Sequence, residues 1–218
     1  MRSPITDAFI ERESARKFPY VRQFAGFTVT VQEGVYPPSE DSLILIKAIE
    51  NASDCYVQAK CLDFGTGTGV FALALARLGA SVVAIDVNAS AVHCAETNAK
   101  INHLESLVDV RHGNGFSVIE AQETFDVVLA SLPFESYKAR NDFERSVYDE
   151  EYLVRKAFFR DVKKHLRAGG KIFYTYADYA EQQAPLASFL EGYTYQIILE
   201  EKSSDGELNQ IYQIEPSK

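Results

Sequence analysis

The stretch CLDFGTGTGVFALALARLG, residues 61–79, decides how the rest of the chain is read. It opens as a short strand, CLDFG, apolar but for Asp63. Gly65, Gly67 and Gly69 then alternate with threonines, and an apolar helical run follows until Gly79 stops it. The reading is strand, glycine turn and helix in immediate succession. Glycines without a Cβ let the backbone turn sharply and let a ligand come close to it. The helix start beside them presents unpaired N–H groups to the same place.

Outward from this unit, strands and helices keep alternating. SVVAID (81–86), LVDVRH (107–112), FDVVLAS (125–131) and KIFYTYA (171–177) read as strands, and ASAVHCAETNAKIN (89–102) as a helix. EEYLVRKAFFRDVKKHLRAGG (150–170) reads as one long helix closed by Gly169 and Gly170. EQQAPLASFLEG (181–192) reads as a helix that Pro185 bends or splits. The terminal YTYQIILEEKSSDGELNQIYQIEP (193–216) reads as two strands joined at Ser204-Asp205-Gly206. Upstream, FTVTV (27–31) is a short strand. YPPSEDSLILIKAIE (36–50) starts a helix, with Ser39 as N-cap and Glu40 and Asp41 in the first turn.

Repeated βα units imply a mostly parallel sheet with helices on both faces. Short, fully apolar strands such as VVAI and VVLA agree, because parallel strands are buried on both sides. The expected fold is a doubly wound α/β domain with a seven-stranded sheet, a C-terminal antiparallel hairpin and one antiparallel strand at the far edge. No repeat or linker divides the chain, so residues 1–218 are read as a single domain. Within it, 1–50 is an N-terminal strand and helix segment on the ligand side, and 60–218 is the core.

The bulk numbers narrow the class. With 218 residues and 46% hydrophobic content, the chain fills a sizeable core without disulfides. Cys55, Cys61 and Cys94 show neither metal-ligand nor redox spacing and read as small thiols in a reducing compartment. His93, His103, His112 and His165 are scattered and suggest no metal site. The N-terminus lacks an apolar signal region and no stretch is long enough to span a membrane, so a cytoplasmic location is expected. A formal charge of −9 repels phosphate backbones and argues against a nucleic-acid partner.

Ligands of such sheets collect beyond the carboxyl ends of the strands. The glycine spacing separates the candidates. Val70 stands where a dinucleotide G-x-G-x-x-G fingerprint needs its third glycine, and no Gly-Lys-Ser/Thr follows for a nucleoside triphosphate. What remains is Asp63-x-Gly65-x-Gly67-x-Gly69. This pattern resembles motif I of the Rossmann-like S-adenosylmethionine-dependent methyltransferases. The resemblance implies that Asp63, Gly65, Thr66, Gly67 and Gly69 hold that cofactor, with the Asp63 carboxylate a neighbour for its ammonium and sulfonium. It also implies that Asp86, at the end of the second strand, takes the ribose hydroxyls, with Val87 beside it. Asn114, in RHGNGF, stands where these enzymes often carry an aspartate for the adenine amino group.

In N-methyltransferases acting on planar nitrogens, the fourth strand ends in (Asn/Asp/Ser)-Pro-Pro-(Tyr/Phe) or Asn-Leu-Pro-Tyr. Ser131-Leu132-Pro133-Phe134 is similar to both. Pro133 holds Leu132 extended. The Leu132 carbonyl and Ser131 hydroxyl then accept the protons of an –NH2 group, while Phe134 stacks on the flat acceptor. Serine also donates, so an oxygen acceptor stays open. EGVYPPSEDSLILIKAIE (33–50) is similar to the VYxPxEDTxLL segment of the short HemK-like protein-glutamine methyltransferases, where it borders the pocket and brings Glu40 to it. That family's Asn-Pro-Pro-Tyr is absent here.

ESYKARNDFERSVYDEEY (135–152) reads as a lid over the acceptor. The basic run RKAFFRDVKKHLR (155–167) reads as a solvated helix face. The expected function is methyl transfer to a nitrogen of a small molecule or of a peptide or protein side chain, without nucleic acid or membrane. O- or C-methylation of a metabolite, nucleic-acid N-methylation and a non-catalytic cofactor-binding subunit remain open alternatives.

Overall fold

In the computed structural model, which describes residues 4–204 and 206–217, the glycine-turn unit sits at the centre of the sheet. The strands are β1 (Tyr20–Phe24), β2 (Phe27–Val31), β3 (Lys60–Phe64), β4 (Ser81–Asp86), β5 (Val108–His112), β6 (Phe125–Ala130), β7 (Leu166–Ala177), β8 (Tyr193–Lys202) and β9 (Leu208–Pro216). The helices are α1 (Pro4–Ser14), α2 (Glu40–Asn51), α3 (Val70–Arg77), α4 (Ala89–Ile101), α5 (Asp142–Arg145), α6 (Leu153–Asp161) and α7 (Asp178–Gln183). Seven strands form one sheet in the order β5-β4-β3-β6-β7-β9-β8, and β1 pairs with β2 separately. The pairs among β3, β4, β5, β6 and β7 are parallel.

Side chains alternate across each strand, so a parallel sheet needs two cores. Cys61, Val82, Ala84, Val127 and Leu129 face the buried side chains of α2 and α3. Leu62, Val83, Ile85 and Val128 face Phe158 and Phe159 of α6, Ala180 of α7 and Leu186. Cys61 and Cys94 are free and buried, while the Cys55 side chain lies outside the described residues. Among the described residues, no helix is long and apolar enough to cross a membrane. From β3 the chain moves outward to β4 and β5, then crosses back to β6. The strand order therefore reverses between β3 and β6, where a crevice opens at the carboxyl ends.

The hairpin register pairs β8 with β9, as expected, but β9 does not lie at the edge. It inserts antiparallel between β7 and β8. Burial explains this: Ile211 joins one core and Tyr212 and Ile214 the other, so β9 needs cover on both faces. Most of β8 is exposed, including Tyr195 and Ile197, and it takes the edge. Asp205 of the expected turn lies outside the described residues.

The expected long helix is shorter and broken. A 3-10 turn (Glu150–Tyr152) precedes α6, another (Val162–His165) follows it, and β7 already begins at Leu166. Glu151 and Tyr152 have positive φ, which interrupts the helix at its start. Gly169 and Gly170 lie inside β7, where its register with β6 shifts. A Cβ on Gly170 would fall 2.9 Å from the Arg167 carbonyl oxygen and 3.0 Å from that of Phe125, so glycine is needed where the strand closes on β6. Pro185 does split its helix, leaving α7 and a 3-10 turn at Leu186–Phe189.

Near the N-terminus, α1 and β1 are elements that the mixed pattern of residues 1–35 did not announce. The β1–β2 turn uses positive φ at Ala25 and Gly26, matching the twist of a tight hairpin. The hairpin docks on α4 through two amides that imitate a neighbouring strand. Asn98 accepts from Thr30 N and donates to Thr30 O, and Asn102 does the same with Thr28.

Candidate functional site

A cavity of about 910 Å³ occupies the crevice where the strand order reverses. One wall is the glycine turn. Gly65 and Thr66 N–H both donate to the Ile85 carbonyl, at 2.9 Å each, pinning the turn to the end of β4. Gly65 and Gly67 have φ of 77° and 54°, a region costly for any residue with a Cβ. A Cβ built on Gly67 would meet nothing within 4 Å, so the turn leaves an open cradle there.

Two aspartates anchor this wall in different ways. Asp86 is half-buried at the cavity: its Oδ2 accepts from Gly67 N and its Oδ1 from Asn88 N, each at 2.9 Å. Burial raises its pKa, and the N–H groups of Asn88 and Gly67 oppose that rise. An ionised carboxylate so held keeps acceptor sites for further donors, as a vicinal diol would offer. Asp63 is buried beneath the turn and does not line the cavity. Its Oδ2 accepts from Thr66 Oγ1 at 2.6 Å and from Ala72 N at 3.2 Å. Burial pushes its carboxyl up to about 7 against those two bonds. Gly69 also stays out of the cavity: it is a packing glycine, with Ala95 of α4 3.0 Å from a built Cβ. Asn98 joins the wall to the N-terminal hairpin by donating to Thr68 O at 2.8 Å.

Val87, exposed and apolar, and Asn114 line the cavity beside Asp86. Glu40, at the start of α2, lines it from the other side and accepts from Ser204 N. The opposite wall is the end of β6, where Ser131, Leu132, Pro133 and Phe134 all line the cavity. The walls meet where a Gly65 Cβ would lie 3.9 Å from Leu132 Cδ2. Phe134 stands edge-on to Tyr176, centroids 5.6 Å apart, and to Tyr179 at 6.1 Å.

Residues 135–152 do cover this wall, but as folded structure. They hold α5, a bridge between Glu135 and Tyr148, and a Glu144 carboxylate that accepts from Arg140 N at 2.7 Å. α1 completes the roof. Thr6 Oγ1 donates to the buried Glu135, and Phe9 packs on Tyr36 at 5.0 Å and on Phe143 at 5.9 Å. Tyr36 and Tyr179 line the cavity. Burial first and nearby carboxylates second raise both phenols, Asp41 acting on Tyr36 and Glu207 and Glu135 on Tyr179, so both remain protonated donors.

The family described as methyltransferase small domain matches residues 27–198, most of the chain. The chain belongs to this family. A release factor glutamine methyltransferase of Buchnera aphidicola is 30% identical over 141 residues, covering 62% of the chain and 48% of that protein. A putative protein N5-glutamine methyltransferase of Methanocaldococcus jannaschii is 31% identical over 113 residues, 51% of the chain and 53% of that protein. The chain thus spans about half the length of these curated relatives. Among solved structures, the Thermus thermophilus 16S rRNA N2 G1207 methyltransferase, in complex with AdoMet and guanosine, superposes with a TM-score of 0.68. The match covers 92% of the chain and 50% of that protein at 21% identity, a likeness of fold.

For this member of the family, the structure gathers most of the expected residues around one cavity: Gly65, Thr66, Gly67, Asp86, Val87, Asn114, Glu40 and the Ser131–Phe134 turn. Asp63 and Gly69 support it from behind. Arg155 belongs to the basic run expected at the surface, yet it is fully buried against the Ser131–Phe134 turn. Lys156, Arg160, Lys163, Lys164 and Arg167 of that run are exposed, as a solvated face requires. The signal was present: Arg155, Phe158, Phe159 and Val162 share one face at helical spacing.

Proposed function

We propose that the chain is an S-adenosylmethionine-dependent methyltransferase that transfers a methyl group to a nitrogen. One observation carries the reading: the open glycine cradle and the Ser131–Phe134 turn line one cavity. The residues fit the cofactor, since the cradle leaves room at Gly67 and Asp86 is held ready for two hydroxyl donors. In this reading Gly65, Thr66, Gly67, Asp86, Val87, Asn114 and Glu40 hold it, and Asp63 and Gly69 keep the turn in shape. When bound, the cofactor supplies an electrophilic methyl group on a sulfonium.

The chain's own residues then position the acceptor. The Leu132 carbonyl and Ser131 hydroxyl accept N–H protons, which leaves the nitrogen lone pair directed along the cradle. Phe134 covers the acceptor and excludes water. Positioning of this kind is worth up to about 7–11 kcal/mol in favourable cases. Tyr36 and Tyr179 add donors, and the buried carboxylates Glu13, Glu135 and Asp149 line the same space. Such a lining suits a polar or cationic small molecule, or a peptide or protein side chain, better than a phosphate backbone. Residues 1–218 act as one domain in this reading, with the first 50 residues roofing the ligand side, and the enzyme works in the cytoplasm.

Calorimetry with S-adenosylmethionine and S-adenosylhomocysteine tests the reading, with binding expected for both. Absence of binding at concentrations on the order of 1 mM would overturn it. Tritiated cofactor, offered with glutamine-containing peptides, lysine-containing peptides and small amines, then identifies the acceptor class.

A further inference from the structure

We infer that Arg155 is a positioning residue for methyl transfer. It turns the Pro133 carbonyl into the protein and leaves the Leu132 carbonyl to the acceptor. The inference rests on the function proposed above. Arg155 is fully buried, and its guanidinium is anchored in three directions. Nε donates to Tyr174 OH at 3.1 Å, Nη1 to Tyr176 OH at 2.8 Å, and Nη2 to the Pro133 carbonyl at 2.9 Å, with the Phe134 carbonyl at 3.5 Å. The rings of Tyr176, Tyr152 and Phe189 lie 4.7, 5.0 and 5.0 Å from the guanidinium carbon. Asp149 fixes the backbone beneath it by accepting from Arg155 N at 3.0 Å.

All the hydrogen-bond acceptors of this guanidinium among the described residues are neutral oxygens. As a core filler, such a buried cation has no advantage, because an apolar side chain of similar volume is often as stable or more so. What the guanidinium adds is geometry: a planar fork with donors at fixed angles. The fork holds the carbonyl after Pro133, while the proline ring restricts the residue before it. Both sides of the turn are thereby set. Among the described residues, no hydrogen bond ends on the Leu132 carbonyl or the Ser131 hydroxyl. The same guanidinium sets the acceptor ring as well. Tyr176 takes Nη1 on its hydroxyl, donates that hydroxyl to Ala184 O, and packs perpendicular to Phe134 at an interplanar angle of 88°. One side chain thus holds a carbonyl and, through Tyr176, a ring of the acceptor wall.

Arg155→Met and Arg155→Lys test this in the full chain. Amide hydrogen exchange is measured with S-adenosylhomocysteine bound. In Arg155→Met the amides of Leu132 and Phe134 are expected to exchange at least about ten-fold faster, while those of Gly65–Thr68 keep their rates. With whichever amide or amine probe is methylated, kcat falls about 100-fold and KM changes little, because the turn is misplaced rather than removed. Arg155→Lys keeps the charge without the fork and recovers part of both. Should Arg155→Met not fold, Arg155→Lys and Tyr176→Phe give the same readouts in smaller measure. Unchanged turn amides and kcat overturn the inference, as does loosening spread evenly over α6 and β7, which marks a packing role. A wild-type chain that does not bind S-adenosylhomocysteine defeats the functional reading itself. An unaltered turn in a chain that does bind it defeats only the role of Arg155.

Discussion

The two walls of the cavity are held in different ways. The glycine wall is secured from within the β3–α4 segment: Asp63 bonds Thr66 and Ala72, Asp86 bonds Gly67 and Asn88, and Asn98 bonds Thr68, 30 positions away. The Ser131–Phe134 wall draws on elements outside its own segment, α6 and α1. Pro133 is tied to Arg155, 22 positions on, and Glu135 to Thr6, 129 positions back. The hydrogen bonds of the glycine wall close once β3, β4, α3 and α4 have packed. A wall tied from α1, α6 and β7 exists only once the whole domain has packed. Cofactor binding and acceptor positioning should therefore be separable by mutation.

The largest expected effect is at Asp86. Asp86→Ala removes the acceptor of Gly67 N–H together with the site for two hydroxyl donors. Calorimetry should show S-adenosylhomocysteine affinity falling about 100-fold, or about 3 kcal/mol. Retained affinity would mean that the glycine wall does not bind the cofactor as proposed. Phe134→Ala probes the other wall. It should lower methyl transfer about ten-fold, or about 1.4 kcal/mol, with cofactor affinity unchanged. If cofactor affinity falls in parallel, the walls are not independent.

A pH-dependent effect on stability separates the two aspartates within the glycine wall. Asp63 has a folded pKa of about 7, above its unfolded value near 4. The folded state therefore holds a proton that the unfolded state has released across that window. Stability should fall as pH rises from about 4 to 7, by at most about 1.4 kcal/mol per pH unit from this group. Asp63→Asn, which keeps an oxygen for Thr66 and Ala72, should flatten that slope in thermal melts between pH 4 and 7. An unchanged slope would show that Asp63 is ionised in the fold.

The pattern of what was legible follows the same division. The alternation of βα units, the parallel core strands and the glycine turn could be read directly, since each depends on residues adjacent in sequence. The place of Ser131–Phe134 was legible too, because the order of units puts the end of β6 beside the end of β3. Arg155 was read with its exposed neighbours as surface charge, although its helical spacing with Phe158 and Phe159 pointed inward. The long helix ending at Gly169 and Gly170 gives way to β7, and Gly170 there answers a close approach from Phe125 on another strand as well as from Arg167. Nothing in local spacing records such an approach.

The doubly wound class, the glycine-turn end of the cavity and the turn that faces it can all be read from the chain's own order of residues. These follow from backbone preference, hydrophobic period and hydrogen bonds between near neighbours. Tertiary packing alone places β9 inside the sheet, Asp63 below the glycine turn, α1 over the Ser131–Phe134 wall and Arg155 behind it. Each of those outcomes depends on which distant surfaces bury one another. That is settled by packing two cores at once and not by any stretch of chain alone.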